Sequence, residues 1–229
     1  MLNRPYLGAY WGARKESAGG CAARLARCLT DLGRLHPLLT GWFWTSPDST
    51  VVPVSPTPEA LYRLLITGRP GRRSELGFLL AVWNGRSPGI HIGLSCGVGG
   101  SALGVVNTLL LSLPDPADTD PDLFSLGTAV SLMDAVTANW APDWATLASA
   151  DLRGTHRGLP RTPVVGWLTY LGGDRPWPAP APAGAGVRPF GTGYLVVAGR
   201  TWTEVSAESL AELTERLRST GALAPMRQP

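Results

Sequence analysis

Tyr6-Leu7-Gly8-Ala9-Tyr10-Trp11-Gly12 is the stretch whose reading decides the fold, together with the run that follows it to Leu35. The first seven residues are aromatic-rich and end on glycine, which suits a buried strand with a sharp exit. Arg14-Lys15-Glu16-Ser17 is a polar junction. Beyond it Ala18, Cys21, Ala22, Leu25, Cys28, Leu29, Leu32 and Leu35 recur at steps of three and four, the period of one helix face. Arg24, Arg27, Asp31 and Arg34 fall opposite, where they can stay in water. A helix with one apolar face must lie on something, and the nearest support is a sheet that contains its own preceding strand.

Working outward, Gly41–Trp44 is a second short strand, followed by a Pro- and Ser-rich loop through Pro56. Thr57-Pro58-Glu59 opens a helix with a hydroxyl cap, a proline and an acid in the first turn, and Gly68 ends it. Phe78–Trp83 is an apolar strand that meets Asn84-Gly85, a hairpin signal, with Ile90–Cys96 as the return strand. Val105–Leu113 is a further strand. Pro114–Asp122 is a loop, and Ser125–Trp140 is a helix stopped by Pro142. Trp144–Leu152, Val164–Leu171 and Tyr194–Ala198 read as strands, separated in part by a Pro-, Ala- and Gly-rich loop over Pro176–Gly186. Ser206 caps a last helix whose acids precede its arginines, matching the helix dipole. The pattern predicts an α+β fold: one large, mostly antiparallel sheet of about eight strands carrying about four helices, in a single domain over 1–229. Residues 1–4 and 222–229 are expected to fray.

The totals exclude several classes. The chain has 229 residues, 44% of them hydrophobic, enough for a sizeable core without metal or disulfide staples. The net charge of +3 is scattered arginine, with Arg69-Pro70-Gly71-Arg72-Arg73 the only basic run, so no nucleic-acid-binding face is indicated. Cys21 and Cys28 lie on one helix face about 10.5 Å apart in rise, too far for a disulfide. With Cys96 they read as buried thiols of a reducing compartment, and the cytoplasm is the expected location. The amino-terminal residues lack the apolar core of a leader peptide, and no apolar run reaches membrane-spanning length.

Candidate chemistry is sparse. Gly93-Leu94-Ser95-Cys96-Gly97 matches the G-x-S-x-G elbow of serine hydrolases, but no helix follows it, and His156 is the only later histidine. Gly97-Val98-Gly99-Gly100 resembles a dinucleotide loop that lacks its helix. His36, His91 and His156 are too dispersed for a metal site. Neither a metal nor a cofactor is expected, and most of the tryptophans are expected in the core, with a minority as interface anchors. Two acidic features oppose the overall charge: Asp115, Asp118, Asp120 and Asp122 in one loop, and Glu208 and Glu212, with Glu204 and Glu215, along the last helix. They suit a surface that meets a basic protein partner.

Tyr10-Trp11-Gly12-Ala13-Arg14-Lys15-Glu16-Ser17, followed by Cys21-Ala22-Ala23-Arg24, resembles the opening of the immunity protein 52 family. Pro56–Leu61, Leu76–Phe78, Trp83–Gly85, Asn107–Leu110, Trp140–Trp144 and Val165–Leu171 support the resemblance. It implies a non-enzymatic protein that binds and silences a cognate bacterial toxin by stoichiometric association. The toxin implied is a nuclease of restriction-endonuclease fold delivered by a secretion system, so no direct nucleic-acid or membrane contact is expected of this chain. Inhibitors of nucleases are commonly acidic, whereas this chain is mildly basic, and in this respect it departs from the simplest expectation. The alternatives are an enzyme built on Ser95 and a scaffold module without a toxin partner.

Overall fold

A computed structural model describes residues 5–67, 74–149, 161–173, 175–177 and 185–226. Along the chain the elements are β1 (Pro5–Trp11), α1 (Ala18–Leu35), β2 (Phe43–Thr45), β3 (Val51–Pro53), α2 (Pro58–Thr67), β4 (Phe78–Trp83), β5 (Gly93–Val98) and β6 (Asn107–Ser112). They continue with α3 (Leu126–Trp140), β7 (Trp144–Ser149), β8 (Leu168–Leu171), β9 (Gly186–Phe190), β10 (Gly193–Val197) and α4 (Ala207–Ser219). The ten strands form one sheet in the order β3-β2-β4-β5-β6-β1-β7-β8-β10-β9, and every pairing is antiparallel.

β1 lies in the interior of the sheet and is buried along its whole length. Its two faces meet different partners. Leu7, Ala9 and Trp11 join the core under α1, α2 and α3, with α1 in contact with both other helices. Tyr10 faces the other side, where Trp144, Leu171 and Tyr194 meet Leu210, Leu213 and Leu217 of α4. The period-two alternation of a strand explains the division. One register row, Leu80–Cys96–Leu109–Ala9–Ala145–Tyr170–Leu195, runs under the three-helix layer. The next, Leu79–Gly97–Thr108–Tyr10–Trp144–Leu171–Tyr194, belongs to the opposite face.

Helix starts follow the sequence. The Ser17 hydroxyl accepts from the Gly20 amide, Ser125 from Thr128 and Ser206 from Ser209, each satisfying an otherwise unpaired first-turn N–H. α3 ends where Ala141 turns left-handed (φ 44°) ahead of Pro142. The three thiols are buried, and burial pushes each up to about 12.

The α+β architecture with four helices among the described residues agrees with the sequence reading, but the sheet has ten strands rather than eight. The two unforeseen strands, β3 and β9, are the sheet's edges, and each contains a proline, Pro53 or Pro189. Edge strands tolerate proline because one side of the ladder is unused. Asn84-Gly85 does not close a two-residue hairpin, and β5 begins at Gly93 rather than Ile90. The buried Asn84 side chain donates to the Leu38 and Ile90 carbonyls and accepts from the Ile92 amide, holding a longer loop in place. Val164–Trp167 is not strand; it crosses the α4 face, where Val165 is buried and Gly166 lies against the Leu147 carbonyl. The tail expected to fray from 222 is packed as far as Met226, with Ala222 and Leu223 in the α4-side core.

Candidate functional site

The sheet is covered unequally. In β7 and β8 every residue is buried, because helices or crossing chain lie on both faces. In β4, β5 and β6 burial alternates. Leu80, Val82, Leu94, Cys96, Leu109 and Leu111 are inside, while Leu79, Ala81, Ser95 and Ser112 are exposed. Among the described residues no helix covers this second face of the β4–β6 half. It forms a groove of about 810 Å³ floored by Ala81, Gly93 and Ser95 and bordered by Trp83, His91 and Arg86. Trp83 stacks on His91 (centroids 5.8 Å apart) and packs on Phe43 (5.9 Å), and its indole N–H donates to the Thr45 hydroxyl at 3.3 Å. A smaller recess beside it shares Pro88, His91 and Ser112 and is lined on its far side by Asp115 and Asp118.

The four loop aspartates thus have different places. One Asp115 carboxylate oxygen accepts from the Ala117 amide, and the side chain lines the recess. Asp118 is exposed on the same rim. Asp120 turns the other way: it accepts from the Asp122 amide and lies 3.3 Å from His36 Nε2. The amide bond first, and His36 after it, hold its carboxyl below the usual range. His36 Nδ1 accepts from the Leu38 amide, which places the imidazole proton on Nε2, toward Asp120. Asp122 is exposed in the first turn of the 3₁₀ segment Pro121–Phe124.

The last-helix acids form no common patch with the recess. Glu212 pairs with Arg216 (2.8 Å), Glu215 with Arg218, and Glu204 accepts from the Arg200 and Thr201 amides. Glu208 is exposed in the first turn of α4. The loop and the start of α4 are nonetheless at one end of the sheet, joined by Phe124 packing on Trp202 at 5.9 Å.

At the opposite end, the residues that carry the family resemblance build a clamp. Arg14 donates to the Trp140 carbonyl (2.7 Å) and pairs with Glu16 (2.8 Å), which also meets Arg24 (3.4 Å). The Gly12 amide donates to Asp143, and the Asn107 amide group donates to the carbonyls of Gly12 and Gly100. These side chains tie the exit of β1 to the end of α3 and to the β5–β6 loop. They hold the scaffold together.

Ser95 does not form a nucleophile elbow. Gly93–Val98 is a continuous strand paired on both sides, so its amides serve the ladder and none is left as an oxyanion donor. No hydrogen bond joins Ser95 to His91, and His156 lies outside the described residues. So do Arg69, Arg72 and Arg73. Among the described residues no three His, Cys, Asp or Glu are placed to hold a metal ion, and no helix is long and apolar enough to cross a membrane. Trp11, Trp42, Trp140, Trp144 and Trp167 are core residues, whereas Trp83 is partly exposed at the groove and Trp177 is exposed. Sequence reasoning missed the groove itself. Its signal was present in the alternation of β5, where Gly93, Ser95 and Gly97 occupy the solvent-side positions.

Comparisons with known proteins agree with this architecture. The model of immunity protein 52 matches residues 3–226, and the chain belongs to that family. Its fold is similar to that of the Pseudomonas aeruginosa T6SS protein PA0821, with a TM-score of 0.58 at 13% identity, over 96% of this chain and 76% of that one. No curated protein matches the sequence.

Proposed function

We propose that this member of the immunity protein 52 family is the immunity partner of a bacterial toxin and silences it by stoichiometric binding in the cytoplasm, without catalysis. The observation that carries this reading is the family match over nearly the whole chain. The likeness of the fold to a T6SS protein fits a toxin delivered by a secretion system. The polar side chains that define the resemblance are engaged in the scaffold clamp, which suits a binding protein better than an enzyme. The toxin is, in this reading, a nuclease of restriction-endonuclease fold. Its nucleic-acid-binding surface is basic, and the half-buried Asp115 with the exposed Asp118, Asp122 and Glu208 steers its approach.

The test is calorimetric titration with an inactivated form of the toxin domain encoded beside this gene. Saturable 1:1 binding at nanomolar affinity or tighter is expected. Absence of binding at moderate salt would overturn the reading. A fluorophosphonate probe that labels the protein and fails to label Ser95→Ala would favour an enzyme instead.

A further inference from the structure

The open half of the sheet shows where such a partner fits. α4 covers the neighbouring half of the same face with Leu210, Leu213 and Leu217, but no described element takes that place over β4–β6. The floor there is lowered by Ala81, Gly93 and Ser95, and Leu79 stands 51% exposed beside it. Trp83, stacked on His91, walls the groove, and a fixed aromatic at the edge of a concave apolar surface is the usual anchor of a protein interface. The volume alone would also suit a small molecule. The two carboxylates, however, lie outside the groove, in the recess that shares Pro88, His91 and Ser112 with it, so the chemically distinctive surface is broader than one small ligand.

Charge defines the occupant further. Asp115 and Asp118 form no ion pair among the described residues, and neither does Arg86 at the groove. Two carboxylates in the recess and one guanidinium at the groove call for opposite charges on the partner. Resting on the immunity reading, we infer that the toxin docks on this face. It does so through a segment that lays an apolar side chain over Ala81, Gly93 and Ser95 and extends a lysine or arginine to Asp115 and Asp118. Arg86 meets a carboxylate of the same partner. The contact continues over Leu79, which gives room for an interface of ordinary size, about 800 Å² per partner.

The experiment measures binding of the inactivated toxin domain to the wild-type chain and to three variants at exposed positions, each first checked for an unchanged denaturation midpoint. Ser95→Arg fills the groove and is expected to weaken binding about 100-fold or more. Asp118→Lys is expected to weaken it about tenfold, mainly through slower association that depends less on salt. Arg188→Glu, exposed on β9 at the far edge, is expected to bind as the wild type does. Wild-type affinity in both Ser95→Arg and Asp118→Lys would overturn the site while leaving the immunity function standing. A wild-type chain that does not bind the toxin overturns the function and the site with it. Native mass spectrometry that finds a small molecule on the wild type but not on Ser95→Arg, with toxin affinity unchanged, would overturn the site in favour of a ligand groove.

Discussion

The two halves of the sheet are made of the same kind of strand and differ in what covers them. β7 and β8 are buried on both faces, with Trp144 stacked 4.1 Å from Tyr10 under α4. β4, β5 and β6 are buried on one face only, and Ser95 and Cys96, adjacent in sequence, lie on opposite sides of the same strand. Antiparallel sheets can leave a face in water where the side chains alternate. The lesson is that one sheet can be covered unequally: the doubly covered half is packed on both faces, and the singly covered half leaves one face open without interrupting the ladder.

That comparison can be broken or sharpened. The largest effect is expected in alkali. The thiols of Cys21, Cys28 and Cys96 are pushed from 9.0 up to about 12 by burial, and the Tyr194 hydroxyl from 10.0 to about 12. A group whose folded pKa is raised stabilises fully below its unfolded value and loses that contribution as pH rises toward the folded value. Urea midpoints should therefore hold up to about pH 9 and fall progressively toward 12. A flat profile would show that the three-helix layer admits water to the thiols.

Truncation comes next. Trp144→Ala removes a ring buried between two layers and should cost about 3–5 kcal/mol in denaturant unfolding, with the slope unchanged. A cost under about 1 kcal/mol would mean that this half is no better packed than the open one. Asn107→Ala removes the side chain that accepts from the Gly100 amide and donates to the Gly12 and Gly100 carbonyls, and should cost about 1–3 kcal/mol. The smallest changes belong to the open face. Leu79→Ala and Ser95→Cys should each stay within about 0.5 kcal/mol of the wild type. In Ser95→Cys the new thiol should react with a maleimide at the rate of an exposed cysteine, while its neighbour Cys96 reacts only on unfolding. Equal rates would erase the distinction between the two faces.

Much of this was legible beforehand. The periodicity of Ala18–Leu35 and the caps at Ser17, Ser125 and Ser206 located helices because those signals are local. β3 and β9 escaped because proline and short length argue against a strand, and only the neighbour in the sheet overrides that. The four aspartates looked alike in sequence. His36, distant in the chain, captures Asp120, whereas Pro88 and His91 bring Asp115 and Asp118 to a recess.

By itself the sequence determined the α+β class, the strand-to-helix unit at the amino terminus, the buried cysteines and the family likeness. Each follows from residues close in the chain or from their order along it. The tertiary structure alone decided which strands became neighbours, and so which face α4 covers and which it leaves bare. A strand's alternation says that two faces exist. What lies on each face depends on elements far away in sequence, and no local pattern encodes that pairing.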